Sequence, residues 1–422
     1  MTNTVRITEL DNGLRVISDE MKQVETASAG IWIEAGSRHE TAKMNGVSHM
    51  LEHMAFKGTR RRSAQAIAEE VENVGGHLNA YTSRENTAYF AKILKEDLGL
   101  AIDVVADLVQ NAVLDAEELE RERGVILQEI HQAQDTPDDV IFDLFQDACF
   151  PDQALGRPVL GPAKGIEDMA RTDIIDYMNN RYLPQSMVLS AAGNLEHDKL
   201  VDMAQQHFSV PNKSKDKAAG FSVGAYKGGE VRESRDIEQV HLMLGFEGLT
   251  YNDDDFYAAS VMSMILGGGM SSRLFQEVRE KRGLVYSVYS FVSSYADTGM
   301  FGIYAGTGEK DTAELIPVVC DEIGKICTHI TEQELLRAKT QMKASVLMSL
   351  ESTSSRAEQL ARQLMVFGRE IPTSETVERI EAINSTSILR VAKRIFASTP
   401  TLAALGPIKN VEDYDAVKKR LI

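Results

Sequence analysis

The sequence is short of cysteine, of basic charge and of long apolar runs, and each shortage removes a class of protein. Cysteine occurs three times in 422 residues, at Cys149, Cys320 and Cys327. Cysteines so few, and odd in number, build no disulfide framework and suit a reducing cytoplasm. Cys320 and Cys327 lie in an apolar helical stretch, the pattern of buried core thiols. No apolar run approaches the ~18 residues of a membrane-spanning helix, so no membrane partner is expected. The stretch Met1 to Glu9 lacks an apolar signal core, which argues against export by that route. Lysine and arginine number 45 against 63 aspartates and glutamates, a net charge of −18. A nucleic-acid partner needs a basic surface, so that class is excluded too. The acidic excess reads either as solvated surface or as an acidic cavity that draws basic substrates. Gly267-Gly268-Gly269 is not followed by Lys-Ser/Thr, so it is no phosphate loop.

What is present is a soluble globular composition, 43% hydrophobic and 26% charged, in a chain long enough for two domains. The stretch that organises it is Ser48-His49-Met50-Leu51-Glu52-His53. On a helix, His49 and His53 share a face and Glu52 reaches the same side. Two imidazoles and a carboxylate suit a divalent metal and a base for its water. The order His-x-x-Glu-His is that of the inverted zincins. The competing reading is two surface histidines beside a glutamate.

Apolar periodicity predicts strands over 5–10, 14–19 and 27–34, the motif helix over about 46–56 and a second helix over 63–74. Strand-like runs 77–83 and 87–94 follow, then helices over 98–113, 117–134 and 138–149. A strand at 186–192 and a helix at 198–208 close the first half. The polar stretch 212–222 is the best linker. The second half repeats the plan: the strand before the motif helix matches 242–248, and the motif helix matches 257–266. The repeat lacks His-x-x-Glu-His, so only the first half offers a metal site.

A catalytic zinc takes three protein ligands, so a third is needed. Glu122 and Glu129 share one helical face flanked by Val125, Ile126 and Ile130. Carboxylates on an inner face need a partner or a metal. Periodicity alone equally permits both to sit on a solvated face.

His49 to His53, then Gly75-Gly76 before Leu78-Asn79-Ala80-Tyr81-Thr82, then Glu129, together resemble the pitrilysin (insulinase) family of zinc peptidases. The likeness is greatest to the short members that include processing peptidases. It implies that His49, His53 and Glu129 hold one Zn²⁺ per chain, that Glu52 is the general base and that Glu122 orients a ligating histidine. It further implies that an extended peptide adds to the edge strand Leu78–Thr82, with Asn79 and Ala80 beside the scissile bond. Phe56 and Tyr81 are read either as substrate pocket or as core. Arg279 and Tyr286 resemble the family's pair that steadies the oxyanion. Asp139 and Asp143 fall where processing-peptidase relatives bind a basic residue, although acids at a helix N-terminus also favour its dipole.

The expected fold is α+β: two structurally similar domains, each a mostly antiparallel sheet with helices packed mainly on one face, half of a clamshell. The expected domains are 1–211, carrying the metal, and 223–422, carrying the Arg/Tyr pair. Long family members supply four such domains, so a homodimer is expected, with a heterodimer with a metal-less relative as the alternative. The expected activity is zinc-dependent cleavage of extended peptides in the cytoplasm, with basic or presequence-like peptides as candidates. A non-catalytic core-protein-like subunit is the alternative.

Overall fold

The computed structural model describes residues 4–208 and 220–421. Most of the expected linker, 212–219, lies outside the described residues. The first half runs β1 (Val5–Glu9), β2 (Arg15–Glu20), β3 (Thr26–Ile33), α1 (Val47–Ala55), α2 (Ala64–Glu72), β4 (His77–Thr82), β5 (Thr87–Leu94), α3 (Leu98–Asn111), α4 (Ala116–Gln134), α5 (Pro137–Cys149), α6 (Ala163–Asp168), α7 (Arg171–Arg181), β6 (Met187–Gly193) and α8 (His197–His207). The second half runs β7 (Gly229–Ser234), β8 (Val240–Glu247), α9 (Phe256–Gly267), a π-helical turn (Phe275–Glu280), β9 (Val285–Ser294), β10 (Gly299–Thr307), α10 (Thr312–Ile326), α11 (Glu332–Ser349), α12 (Thr353–Phe367), α13 (Thr373–Ala382), α14 (Ser385–Phe396), β11 (Thr401–Gly406) and α15 (Tyr414–Leu421). From β3 and from β8 onward the two halves follow one plan, as the repeat predicts. No described helix is long and apolar enough to cross a membrane.

The first sheet has the order β1-β2-β6-β3-β5-β4 and the second β7-β11-β8-β10-β9. All pairs are antiparallel except β2 with β6 and β7 with β11. Both sheets carry the expected alternation. In β3, Ala27, Ala29, Ile31 and Ile33 face a helical layer that includes α3. Trp32 points the other way, into a cluster with Ala357, Leu360, Ala361 and Leu364 of α12. In β8, Leu242, Leu244 and Phe246 face α9, α10 and α14, while Met243 faces Ile141 and Phe145 of α5.

The described residues fall into two compact units, neither of them contiguous in sequence. The first comprises those of Met1–His131, Arg157–Phe221 and Met348–Ile371; the second those of Gln132–Gly156, Ser222–Leu347 and Pro372–Ile422. Thus α5, from the first half, covers the second sheet, and α12, from the second half, covers the first. The two helices hold matching places in the repeat. In the first unit, α12 is fixed by Arg356 Nε donating to Asp19 Oδ2 at 2.6 Å and by Ser28 and Thr353 hydroxyls 2.8 Å apart. In the second, Gly245 lies directly under the Phe145 ring, where a Cβ would overlap it. Each helix so placed hides an apolar sheet face, with each buried Leu or Phe side chain contributing roughly 1.5–3 kcal/mol.

Candidate metal centre

Helix α1 buries Val47, Met50, Leu51 and Met54 in a cluster with Ile126 and Ile130 of α4 and Ile174 and Tyr177 of α7. Its N-terminus is held by the buried carboxylate of Glu40, which accepts from the Gly46 and Ser48 amides at 2.8 Å each. Burial pushes the Glu40 carboxyl above its usual range, and those bonds pull it back in part. With that face buried, His49 and His53 face α4.

There they meet Glu129. His49 Nε2 lies 3.7 Å and His53 Nε2 3.6 Å from Glu129 Oε2. The three donor atoms lie within 4.8 Å of one another, and among the described residues this is the one such His/Cys/Asp/Glu cluster. A tetrahedral zinc with bonds of about 2.0–2.1 Å asks for donors roughly 3.4 Å apart, and both histidine-to-Glu129 spacings are near that value. Burial, then the neighbouring His53, lowers the His49 pKa to about 4, so its imidazole is neutral and able to ligate.

The two imidazoles differ in support. His53 Nδ1 is 3.0 Å from Glu122 Oε2, and Lys57 Nζ is 2.7 Å from Glu122 Oε1. A carboxylate acceptor at Nδ1 places the ring proton there and leaves Nε2 as the free lone pair. The buried Nδ1 of His49 has no hydrogen-bond partner among the described residues. Glu122 is buried, as a residue beside a ligand requires, while Val125 on the same helix is 39% exposed.

Glu52 turns toward β4. Its Oε2 accepts from the Thr82 hydroxyl at 2.6 Å. Burial raises its pKa, partly offset by the Thr82 bond and by His53, with Glu129 adding to the rise. A carboxylate moved toward neutrality is suited to taking and returning a proton.

β4 is an edge strand, next to β5 alone. The Ala80 amide donates to Asn79 Oδ1 at 2.8 Å rather than into the ladder, so on the outward edge that side chain holds a place which an added strand would take over. Asn79 is exposed and Ala80 half-buried. Phe56 and Tyr81 are engaged in packing: Phe56 lies 6.1 Å from the Tyr89 ring and Tyr81 6.1 Å from Phe90. The Tyr81 hydroxyl also accepts from Trp32 Nε1 at 3.2 Å.

The other expected site residues belong to the second unit. Arg279 lies in the π-helical turn, where the Lys281 amide reaches back to Gln276 O at 3.0 Å. Its guanidinium lies 4.8 Å from the Phe275 ring and 5.2 Å from that of Tyr286. Tyr286, on the edge strand β9, is 76% exposed. Asp139 and Asp143 are exposed on α5. Their neighbour Asp138, also exposed, has Oδ1 2.9 Å from His241 Nδ1 and 3.0 Å from the Tyr304 hydroxyl. Sequence reasoning passed over Lys57, Thr82 and Asp138 as site-shaping residues. Thr82 stands within a quoted stretch and Lys57 just past the motif helix, but nothing in their spacing shows what they bond.

Residues 15–163 match the family model for insulinase (peptidase family M16), and residues 168–342 match that for the peptidase M16 inactive domain. The chain is 40% identical to an "uncharacterized zinc protease" of Rickettsia felis over 96% of its own length and 98% of that protein. It is 38% identical to the human mitochondrial-processing peptidase subunit beta, over 99% of its length and 87% of that protein. Its fold matches the crystal structure of a protease from Helicobacter pylori at a TM-score of 0.91 and 24% identity, covering 96% of this chain and 99% of that one.

Proposed function

Because the chain belongs to the insulinase (M16) peptidase family, a family of zinc proteases, we propose that it is a zinc-dependent endopeptidase acting on extended peptides. The observation that carries the reading is the meeting of His49, His53 and Glu129 beside Glu52 and an open strand edge.

In this reading His49, His53 and Glu129 hold the zinc. When bound, zinc supplies Lewis acidity that makes water a nucleophile near neutral pH and polarises a carbonyl. Glu52 takes the proton from water and delivers it to the leaving amine. Thr82 aims the Glu52 carboxylate, and Glu122 fixes the His53 ring. The outward main chain of β4 around Asn79 and Ala80 pairs with the peptide, which gives affinity without a sequence requirement. Phe56 and Tyr81 shape that strand from behind.

The protein acts as a homodimer in the cytoplasm, Arg279 and Tyr286 of one subunit binding the carbonyl oxygen at the zinc of the other. The exposed Tyr286 with Arg279 beside it supports a role in contacts beyond its own unit. The free thiols Cys149, Cys320 and Cys327 suit a reducing compartment. The human relative is named as one subunit of a peptidase, which supplies the second reading, a heterodimer with a metal-less relative. Asp139 and Asp143 select basic or presequence-like peptides.

The test is zinc content and peptide cleavage by wild type and Glu52→Gln. The variant should keep its zinc and lose cleavage by at least 10³-fold. Wild type that binds zinc and cleaves no peptide in a broad library points instead to a non-catalytic subunit.

A further inference from the structure

One charged side chain beside the metal centre has no part in the scheme above. Lys57 follows α1 directly, in Phe56-Lys57-Gly58-Thr59. Its ammonium is 2.7 Å from Glu122 Oε1, while the other oxygen of the same carboxylate is 3.0 Å from His53 Nδ1. Glu122 has 6% side-chain exposure, His53 19% and Lys57 31%. A carboxylate this deep must be met by a counter-charge or by hydrogen bonds on both oxygens. Lys57 supplies the first at one oxygen and His53 the second at the other.

The backbone around Lys57 is built to hold it there. Its amide bonds Met54 O at 3.2 Å. Gly58 follows at φ +127°, a conformation that side chains resist, and turns the chain away at that point. The Val113 amide bonds Gly58 O at 3.0 Å and the Arg60 amide bonds Asn111 O at 3.1 Å. The Thr59 hydroxyl donates to the buried Asp107 at 2.6 Å. The turn after α1 is thus tied to the end of α3 and to the approach to α4, the helix that carries Glu122 and Glu129.

We propose that Lys57 is a positioning residue for the metal centre: it clamps one oxygen of Glu122 so that the other holds the His53 ring, Nε2 toward the metal. It acts through Glu122 and touches neither metal nor substrate. His49, whose Nδ1 has no hydrogen-bond partner among the described residues, lacks such a line, so the relay through His53 carries the orientation of the pair. The inference rests on the zinc reading of the site.

The experiment measures zinc dissociation constants by competition with a chromogenic chelator, on full-length wild type, Lys57→Met, Lys57→Arg, Glu122→Gln and the Lys57→Met/Glu122→Gln double variant. Groups that hold a metal ligand from behind are worth roughly 10–100-fold in affinity. Lys57→Met should bind zinc about tenfold more weakly, and Lys57→Arg should recover most of the loss. The double variant should bind no more weakly than Glu122→Gln alone, since Lys57 works through that carboxylate. Metal-free melting curves establish that each variant is folded; should Lys57→Met fail to fold, Lys57→Gln carries the same comparison. Unchanged zinc affinity on loss of the lysine charge overturns the proposal, and so do losses that add in the double variant. Wild type that binds no zinc brings down the zinc reading itself, a result distinct from either.

Discussion

The Thr82 hydroxyl donates to Glu52 Oε2 across 2.6 Å, joining the edge strand β4 to the motif helix α1 at the group proposed as general base. Burial raises the Glu52 pKa and the Thr82 bond lowers it. Removing the donor therefore raises that pKa further. Since the base works deprotonated, the acid limb of the kcat/KM profile should move to higher pH in Thr82→Val. The carboxylate also loses its aim, so kcat should fall about tenfold, or ~1.4 kcal/mol. KM should change little and Thr82→Ser should restore both properties. A pH–rate series on the three proteins checks this; an acid limb that stays in place in Thr82→Val rules the role out.

Helical spacing was enough to read His49, Glu52 and His53 as one group, because positions three and four apart on one helix meet whatever surrounds them. It did not decide α4. There the apolar Val125 is 39% exposed and the acidic Glu122 4% exposed, so hydrophobic patterning and true orientation disagree at the residues that matter. That inversion comes from His53 and Lys57 on another element, which no local pattern encodes. The destinations of α5 and α12 were hidden for a similar reason. Their stripes show that one face is buried but not which sheet receives it. The π-helical turn around Arg279 has no composition of its own and reads as ordinary helix.

Three acids stand near the start of α5, and the structure separates them. All three are exposed, and Asp138 also meets His241 and Tyr304. In the proposed scheme only Asp139 and Asp143 read a basic residue. Asp139→Asn/Asp143→Asn should lower kcat/KM about tenfold for a peptide with arginine near the cleavage site. A matched peptide with norleucine there should be cleaved as by wild type. Asp138→Ala should instead lower the melting temperature, because His241 and Tyr304 lose their shared acceptor. Paired peptide kinetics decide between the roles. Equal cleavage of both peptides by the Asp139/Asp143 variant would remove the pocket.

Glu334 shows one place where acid should weaken the second unit. Burial alone would raise its pKa, but Arg273 grips both oxygens at 2.7 and 3.0 Å, and Thr331 donates from its amide at 2.9 Å and its hydroxyl at 2.8 Å. The result is a pKa lowered to about 2 from an ordinary 4.5. A folded-state pKa below the unfolded one gives stability that is complete above pH 4.5 and is lost as pH falls toward 2. The group also caps α11 as a capping box with Thr331. Glu334→Gln should cost about 1 kcal/mol at pH 7. The gap between its melting temperature and that of wild type should narrow as pH drops from 4.5 to 2. A gap that stays constant over that range contradicts the assignment.

The sharpest test of the proposed dimer uses the presence of Glu52 and Arg279, the two halves of the proposed machinery, in one chain. Glu52→Gln removes the base and leaves Arg279 intact; Arg279→Met does the reverse. Each homodimer should be nearly inactive. If Arg279 serves the other subunit's zinc, a mixed dimer holds one complete site, in which the Arg279→Met chain supplies Glu52 and the Glu52→Gln chain supplies Arg279. Co-expressed and reassembled mixtures should then regain up to about one quarter of wild-type activity, since half the dimers are mixed and each has one working site of two. If both residues serve the same chain, no mixture contains a complete site and activity stays at the level of the variants. Sedimentation of the mixtures confirms that subunits have exchanged, so that an absence of rescue counts against the shared site. Rescue would also exclude a dimer contact that merely stabilises each chain, because both parents are equally able to form it.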